Sequence, residues 1–189
     1  IEFIPNNTKV TLPGNGRVGW MLESDQVIEG DFVLAAGEMD LNGHKLKIQG
    51  DLLVVNGSVY VNGGTLEVTG DLRYQSKTEG QSGSEPVYSN STGYLKMTNA
   101  KDHVLVHGDF VMQSKNVMDG NLTEGTLEVK GNFSQMLGNR YNYRASGNHT
   151  TVLSGDKKQT LVLVSDYDAT FANLVISNTS AEGVFVNSD

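Results

Sequence analysis

Five acidic or amide residues each follow a glycine at recurring intervals: Asp31, Asp51, Asp71, Asp109 and Asn132. Brought into register they would form a column. A column of carboxylates offers two kinds of chemistry, Ca²⁺ coordination or acid–base catalysis. It also has an architectural use, because Asx side chains at tight corners accept backbone N–H groups. The architectural use is the stronger expectation. Stacked, unneutralised carboxylates repel, and Asn132 already lowers the charge of the column. The glycine-rich Ca²⁺ nonapeptide G-G-x-G-x-D is missing. No metal site and no cofactor are therefore expected.

A second cluster is "NRYNYR", residues 139 to 144. Its ligand-binding candidates are Arg140, Tyr141, Tyr143 and Arg144. Tyrosine faces stack on sugar rings and guanidiniums pair with acidic groups. The plainer alternative is that the tyrosines cover an apolar edge and the arginines solvate it. Tyr74, Tyr88 and Tyr94 could build a similar patch, with the same alternative. His103 and His107 lie about 13 Å apart on an extended strand, too far to share a metal. They read as outward residues, and His44 and His149 have no evident ligand partner.

Catalytic residues are not apparent. There is no G-x-S-x-G elbow, P-loop or H-E-x-x-H. Gly14 to Gly19 spell G-x-G-x-x-G without the strand before and helix after that the fingerprint needs. Glu67 and Glu128 sit in repeated strand motifs, where solvation explains them. A cluster assembled across turns of a solenoid would be invisible in one dimension, so a polysaccharide lyase or hydrolase stays open.

The elements that would position these residues follow from composition and repetition. The 189-residue chain holds 22 Gly and only 3 Pro, which with abundant Asn, Val, Leu and Thr points to strands joined by tight turns. A net charge of -8 speaks against nucleic acid and against an anionic membrane surface. The lack of Cys excludes disulfides and thiolate metal sites and is compatible with a bacterial surface protein. No apolar run reaches the ~18 residues that span a bilayer, so no membrane insertion is expected. The chain opens Ile1-Glu2-Phe3, with no signal peptide, and reads as a mature or trimmed form.

Gly-Asp/Asn followed by Leu or Phe recurs at Gly30, Gly50, Gly70, Gly108 and Gly131, at spacings of 20, 20, 38 and 23. The residues before it read apolar-x-apolar-polar, as in Leu46–Gln49, Leu66–Thr69, Val104–His107 and Leu127–Lys130. One 20-residue unit carries three short period-two segments, 45–48, 51–54 and 58–61, separated by Asn-Gly corners. Three strands and three corners per unit predict an all-β chain, a right-handed parallel β-helix. An antiparallel sandwich would not need the same tripeptide on every circuit.

The domain expectation is a cap or imperfect first coil over 1–29 and a β-helix over 30–189. The polar segment 75–93 reads as a long loop, and 114–125 and 136–149 as shorter excursions. Beyond residue 150 the units become irregular, and no polar cap is evident after Val186.

"NGGTLEVTGDL", "GYLKMTNAKDHVLVHGDFVM", "LTEGTLEVKGNFSQ" and the segment from "RASGNHTTVLSGDKKQTLVLVS" to "FANLVISNTSAEGVFV" together resemble a known family. They are similar to tandem β-helix segments of large secreted or cell-surface proteins of clostridia-like Gram-positive bacteria. Some of these are adhesins and some carry the RHS-type repeats of polymorphic toxins. The resemblance spans most of 30–186 and carries no catalytic pattern. It implies a secreted or cell-surface stalk or adhesin segment, with flanking domains and with surface glycans or host or neighbour-cell receptors as partners. A carbohydrate-binding module is the alternative.

Overall fold

The computed structural model describes residues 10–11, 19–80, 84–164 and 169–188. Every regular element among them is a strand, and the strands stack as a parallel β-helix of about seven turns. Gly14 to Val18 of the G-x-G-x-x-G stretch, and Phe3, lie outside the described residues.

The strands are, in chain order, β1 (Val10–Thr11), β2 (Gly19–Met21), β3 (Gln26–Glu29), β4 (Phe32–Leu34), β5 (Glu38–Asp40), β6 (Lys45–Gln49) and β7 (Leu52–Val54). They continue as β8 (Ser58–Tyr60), β9 (Thr65–Val68), β10 (Leu72–Thr78), β11 (Val87–Asn90), β12 (Tyr94–Lys96), β13 (His103–Val106) and β14 (Phe110–Met112). The last are β15 (Thr126–Val129), β16 (Phe133–Gln135), β17 (Thr150–Leu153), β18 (Gln159–Leu163), β19 (Asn173–Ile176) and β20 (Val184–Ser188).

Three sheets form the walls. The first runs β1-β2-β5-β8-β12, the second β4-β7-β10-β14-β16-β18-β20, and the third β3-β6-β9-β13-β15-β17-β19. Neighbours in the second and third sheets pair in parallel along these paths. β1 is antiparallel to β2 at the first sheet's edge. The shorter first sheet ends at β12, and among the described residues isolated bridges continue it from Met97 to Leu122, from Leu122 to Ala145 and from Arg144 to Thr170.

Parallel register explains why equivalent residues recur. In the second sheet Phe32, Leu52, Leu72, Phe110, Phe133 and Leu161 stack one above another. In the third, Ile28, Ile48, Val68, Val106, Val129 and Leu153 do the same. All are buried, and they belong to one continuous core with Trp20, Met39, Val59 and Leu95 of the first sheet. One turn alone could not hide these side chains, whereas stacking removes each row from water on both sides. Aromatic rings thicken the column where it widens. Phe110 stacks on Phe133 at 5.1 Å, and Tyr143 meets Phe133 edge-on at 4.9 Å.

The structure redraws the expected excursions. Segment 75–93 is not an irregular loop: β10 runs on to Thr78 and pairs antiparallel with β11, so a hairpin projects from the wall. Lys77, Thr78, Tyr88 and Ser89 on the ribbon are exposed, while Gln75 at its base is buried. Segments 114–125 and 136–149 are not thrown clear of the helix. Met118 and Leu122 from the one, and Tyr143 and Ala145 from the other, are buried and complete the third side of their turns. Sparse apolar residues in polar surroundings hid this, since no strand periodicity accompanies them. Of the two readings of 1–29, the described residues 19–29 form a coil rather than a separate cap: β2, β3 and β4 make one turn, and Trp20, Leu22 and Ile28 already join the core. In the last turn Leu174, Ile176 and Val186 are exposed.

Candidate functional site

The Gly-Asp corner lies between the third and second sheets. Each Asx side chain accepts the backbone N–H of its equivalent one turn on. Asp51 donates to Asp31 Oδ1 at 2.8 Å, Asp71 to Asp51 Oδ1 at 2.8 Å, and Asp109 to Asp71 Oδ1 at 2.7 Å. Asn132 N–H then donates to Asp109 Oδ1 at 2.7 Å, and Thr160 N–H to Asn132 Oδ1 at 2.8 Å. An amide oxygen serves as well as a carboxylate here, which is why Asn fits the fifth rung. One Asp has a second partner: Arg73 Nη2 sits 2.6 Å from Asp71 Oδ2.

The glycines before these residues form their own ladder. Gly70 N–H donates to Gly50 O, Gly108 to Gly70 O and Gly131 to Gly108 O, each at 2.9 Å. A Cβ on Gly70 would meet Asp51 Oδ1 and stand 2.9 Å from the Gly50 carbonyl. Gly is thus required by close approach of successive turns, and only Gly30 of this column has positive φ. Apart from Gly30, left-handed backbone in these early turns lies at other corners, such as Asn42-Gly43 and Asn62-Gly63.

The outer face of the third sheet gathers charge across turns. Lys45 Nζ lies 2.6 Å and Lys47 Nζ 3.2 Å from the Glu67 carboxylate, and His107 Nε2 lies 3.4 Å from it on the other side. The Lys45 hydrogen bond, reinforced by Lys47, outweighs the opposing effect of burial and draws the Glu67 pKa down to about 2. Glu128 faces His103 at 3.6 Å and accepts the Ser154 hydroxyl at 2.6 Å. Glu67 is therefore held as an ionised, partnered acid, the opposite of the raised pKa a general acid needs, while Glu128 is engaged by His103 and Ser154. The repeat of 20 contained this pairing, since Lys47 and Glu67 are register partners. Among the described residues no group of three His, Asp or Glu side chains converges as a metal site.

The four candidate ligand-binding residues do not act as one patch. Tyr143 is fully buried, with its hydroxyl 2.6 Å from Thr151 Oγ1 and 3.4 Å from His149 Nε2. It cannot offer a face to a ligand, and burial pushes its hydroxyl pKa up. Arg140 and Arg144 flank the half-buried Tyr141, their guanidinium carbons 5.6 and 4.6 Å from its ring centroid. Arg144 also pairs with Asp119 at 3.2 Å. Tyr74 is buried rather than part of an outer patch, while Tyr88 and Tyr94 are exposed.

Sequence reasoning overlooked the inner polar network. His149 is buried and its Nδ1 lies 2.9 Å from Glu124 O, so that nitrogen carries the proton and Nε2 faces Tyr143 as an acceptor. Burial, partly offset by this backbone bond, lowers its pKa. Gln135 and Asn142 bond to each other at 3.0 Å, also inside. No sequence signal distinguishes such amides from surface ones, because they stand in stretches without alternation.

Comparison with protein-family models, with curated proteins and with solved structures finds no match.

Proposed function

We propose that this chain is a non-catalytic β-solenoid, a structural stalk or adhesin segment of a secreted or cell-surface bacterial protein. The observation that carries this is the unbroken register of two walls through every turn, with the corner Asx side chains spent on the next turn's backbone. Hydrogen bonds running along the long axis in both walls and at the corner resist bending, so the chain holds its ends at a fixed separation. The engaged state of Glu67 and Glu128 supports the same reading over a lyase or hydrolase. The resemblance of the repeated motifs to surface-protein segments supports the location. Two guanidiniums already use the Tyr141 ring, so the glycan-binding alternative finds less support at residues 140–144.

Seven turns at ~4.8 Å set a rod of about 30 Å. The test places the chain between two compact reporter domains and measures the inter-domain distance by small-angle scattering. A single separation, about 30 Å longer than in a direct fusion, is expected. A broad distribution typical of a flexible linker would refute the rod. Antibodies against the hairpin of β10 and β11 should stain intact, unpermeabilised cells, and staining only after permeabilisation would refute the surface location.

A further inference from the structure

The corner between the third and second sheets has constant length in five turns. Three residues separate Ile28 from Phe32, Ile48 from Leu52, Val68 from Leu72, Val106 from Phe110 and Val129 from Phe133. In the next turn the equivalent residues are Leu153 and Leu161, and four additional residues enter the corner. The added length brings Asp156, Lys157 and Lys158 outward, all exposed.

The widened corner is braced from within. Gln159 is buried and its Nε2 donates to Val129 O at 3.0 Å and Gly131 O at 2.6 Å. Its Oε1 accepts the Gly155 N–H at 2.8 Å and the Asn178 amide at 2.8 Å. The backbone on both sides of the bulge is thereby fixed, and the bulge stands off the turn below. A groove of about 520 Å³ opens between them, lined by His107, Lys130, Asn132, Ser154, Asp156 and the two lysines. That volume lies within the range of small-ligand sites.

Three lysines here share the lining with one carboxylate, Asp156, in a chain of net charge -8, while the imidazole of His107 leans on Glu67. Among the described residues none of Lys130, Lys157 and Lys158 reaches a carboxylate within 4.0 Å. Lys158 Nζ lies 5.7 Å from the Phe185 ring centroid. The nearest acids on the wall are already partnered, Glu67 by Lys45, Lys47 and the groove's own His107, and Glu128 by His103 and the Ser154 hydroxyl. Unpaired cations held in a groove, interleaved with hydroxyl and amide groups, suit a ligand that carries both anionic and hydroxyl groups.

We infer that the groove formed by Lys130, Lys157 and Lys158 with His107, Ser154 and Asn132 binds an acidic polysaccharide through its carboxylate or sulfate groups. His107, Lys130 and Ser154 directly follow equivalent strands on successive turns, so the groove runs along the solenoid axis and follows an extended chain. Ammonium groups pair with the acid groups, and Ser154 and Asn132 meet sugar hydroxyls. Nucleic acid fits less well, because its dense phosphates would meet the field of an acidic protein beyond three lysines. The inference stands apart from the rod: a stiff stalk without a ligand leaves the rod intact, and a binding chain that bends leaves the groove intact.

The test is titration calorimetry at low salt with polygalacturonate, dextran sulfate, neutral dextran and single-stranded DNA. The protein is used as the intact chain, as Lys130→Gln/Lys157→Gln, and as the control Lys101→Gln/Lys115→Gln. Both double variants change net charge equally and alter only exposed side chains. Binding of either acidic polymer, weakened on the order of tenfold in the groove variant and little in the control, is expected. The tighter polymer names the acid group, and binding should weaken as salt rises. Lack of binding to both acidic polymers, equal loss in the two variants, equal binding of neutral dextran, or tighter binding of DNA would each overturn the inference.

Discussion

Replacing Asp51 separates a hydrogen-bonding corner from a metal-binding one. In the structure its Oδ1 accepts the Asp71 N–H at 2.8 Å, while its own N–H donates to Asp31. Asp51→Ala deletes the acceptor and orphans the Asp71 amide one turn away. A hydrogen bond to a charged group contributes about 1.5–3 kcal/mol. Asp51 is exposed, so water can partly replace it, and a value below that range, about 1 kcal/mol, applies. Asp51→Asn keeps the oxygen in place, as Asn132 does naturally, and should cost under about 0.5 kcal/mol. Asp71→Ala should cost more, about 2 kcal/mol, because it also frees Arg73 from a 2.6 Å pair. Urea unfolding measures the three differences, provided the slope with denaturant stays constant. Because stacked turns can unfold piecemeal, exchange of the Asp71 amide gives a local check. It should accelerate about fivefold in Asp51→Ala and hardly at all in Asp51→Asn. Equal losses in Asp51→Ala and Asp51→Asn, or a large drop in melting temperature on adding EDTA to the unmodified chain, would refute the corner reasoning.

The buried tyrosines should respond in opposite directions. Tyr74 Oη is buried without a hydrogen-bond partner, so Tyr74→Phe should be neutral or stabilising, whereas Tyr143→Phe breaks the 2.6 Å bond to Thr151 and should cost about 1 kcal/mol by urea unfolding. Gly70→Ala forces a Cβ against the Gly50 carbonyl and should cost about 1–3 kcal/mol. Gly120→Ala meets open space at φ 69° and should cost only the left-handed strain of about 1 kcal/mol, so equal losses would contradict the close approach. For His149, burial holds the folded-state pKa below the ordinary 6.5, so below that pH the unfolded chain takes up a proton the folded one refuses. Stability should therefore fall between about pH 7 and about pH 5, and His149→Gln should flatten that slope in urea titrations at the two values.

The sequence made some of this legible and concealed the rest for physical reasons. A turn of 20 residues with Gly-Asp-Leu at its corner could be read because register forces each equivalent position to solve one packing problem. Leu52 and Leu72 are direct partners, and so are Lys47 and Glu67. Tyr143 was misplaced because its letter carries no direction. Beside Arg140 and Arg144 it reads as a surface residue, yet it fills the axis between Phe133 and Phe171. Met118 and Leu122 were lost in the same way, each an isolated apolar residue closing a side where only bridges remain. The groove was hidden because its cations come from separate turns. "GDKK" alone says little until Lys130 and His107 are stacked beneath it.

The three walls have divided the work of holding and varying. The second and third sheets keep a partner for every strand through to β19 and β20, whereas the first gives way after β12. The hairpin and both segments once read as excursions fall on the path from the second sheet back to the third, beside that interrupted wall. This is where extra residues cost least: a loop added there disturbs one ladder, whereas one added at the Gly-Asp corner breaks the side-chain chain from Asp31 to Thr160. The four residues added before Gln159 are therefore unusual in position. They keep the Asn132 to Thr160 bond, and they need a buried glutamine to occupy four backbone and amide partners in compensation. A departure at the most constrained corner, braced that closely, sets two lysines beside a third with only Asp156 as a carboxylate among them. Elsewhere on the wall the cations Lys45 and Lys47 are matched by Glu67, so the imbalance belongs to the bulge itself.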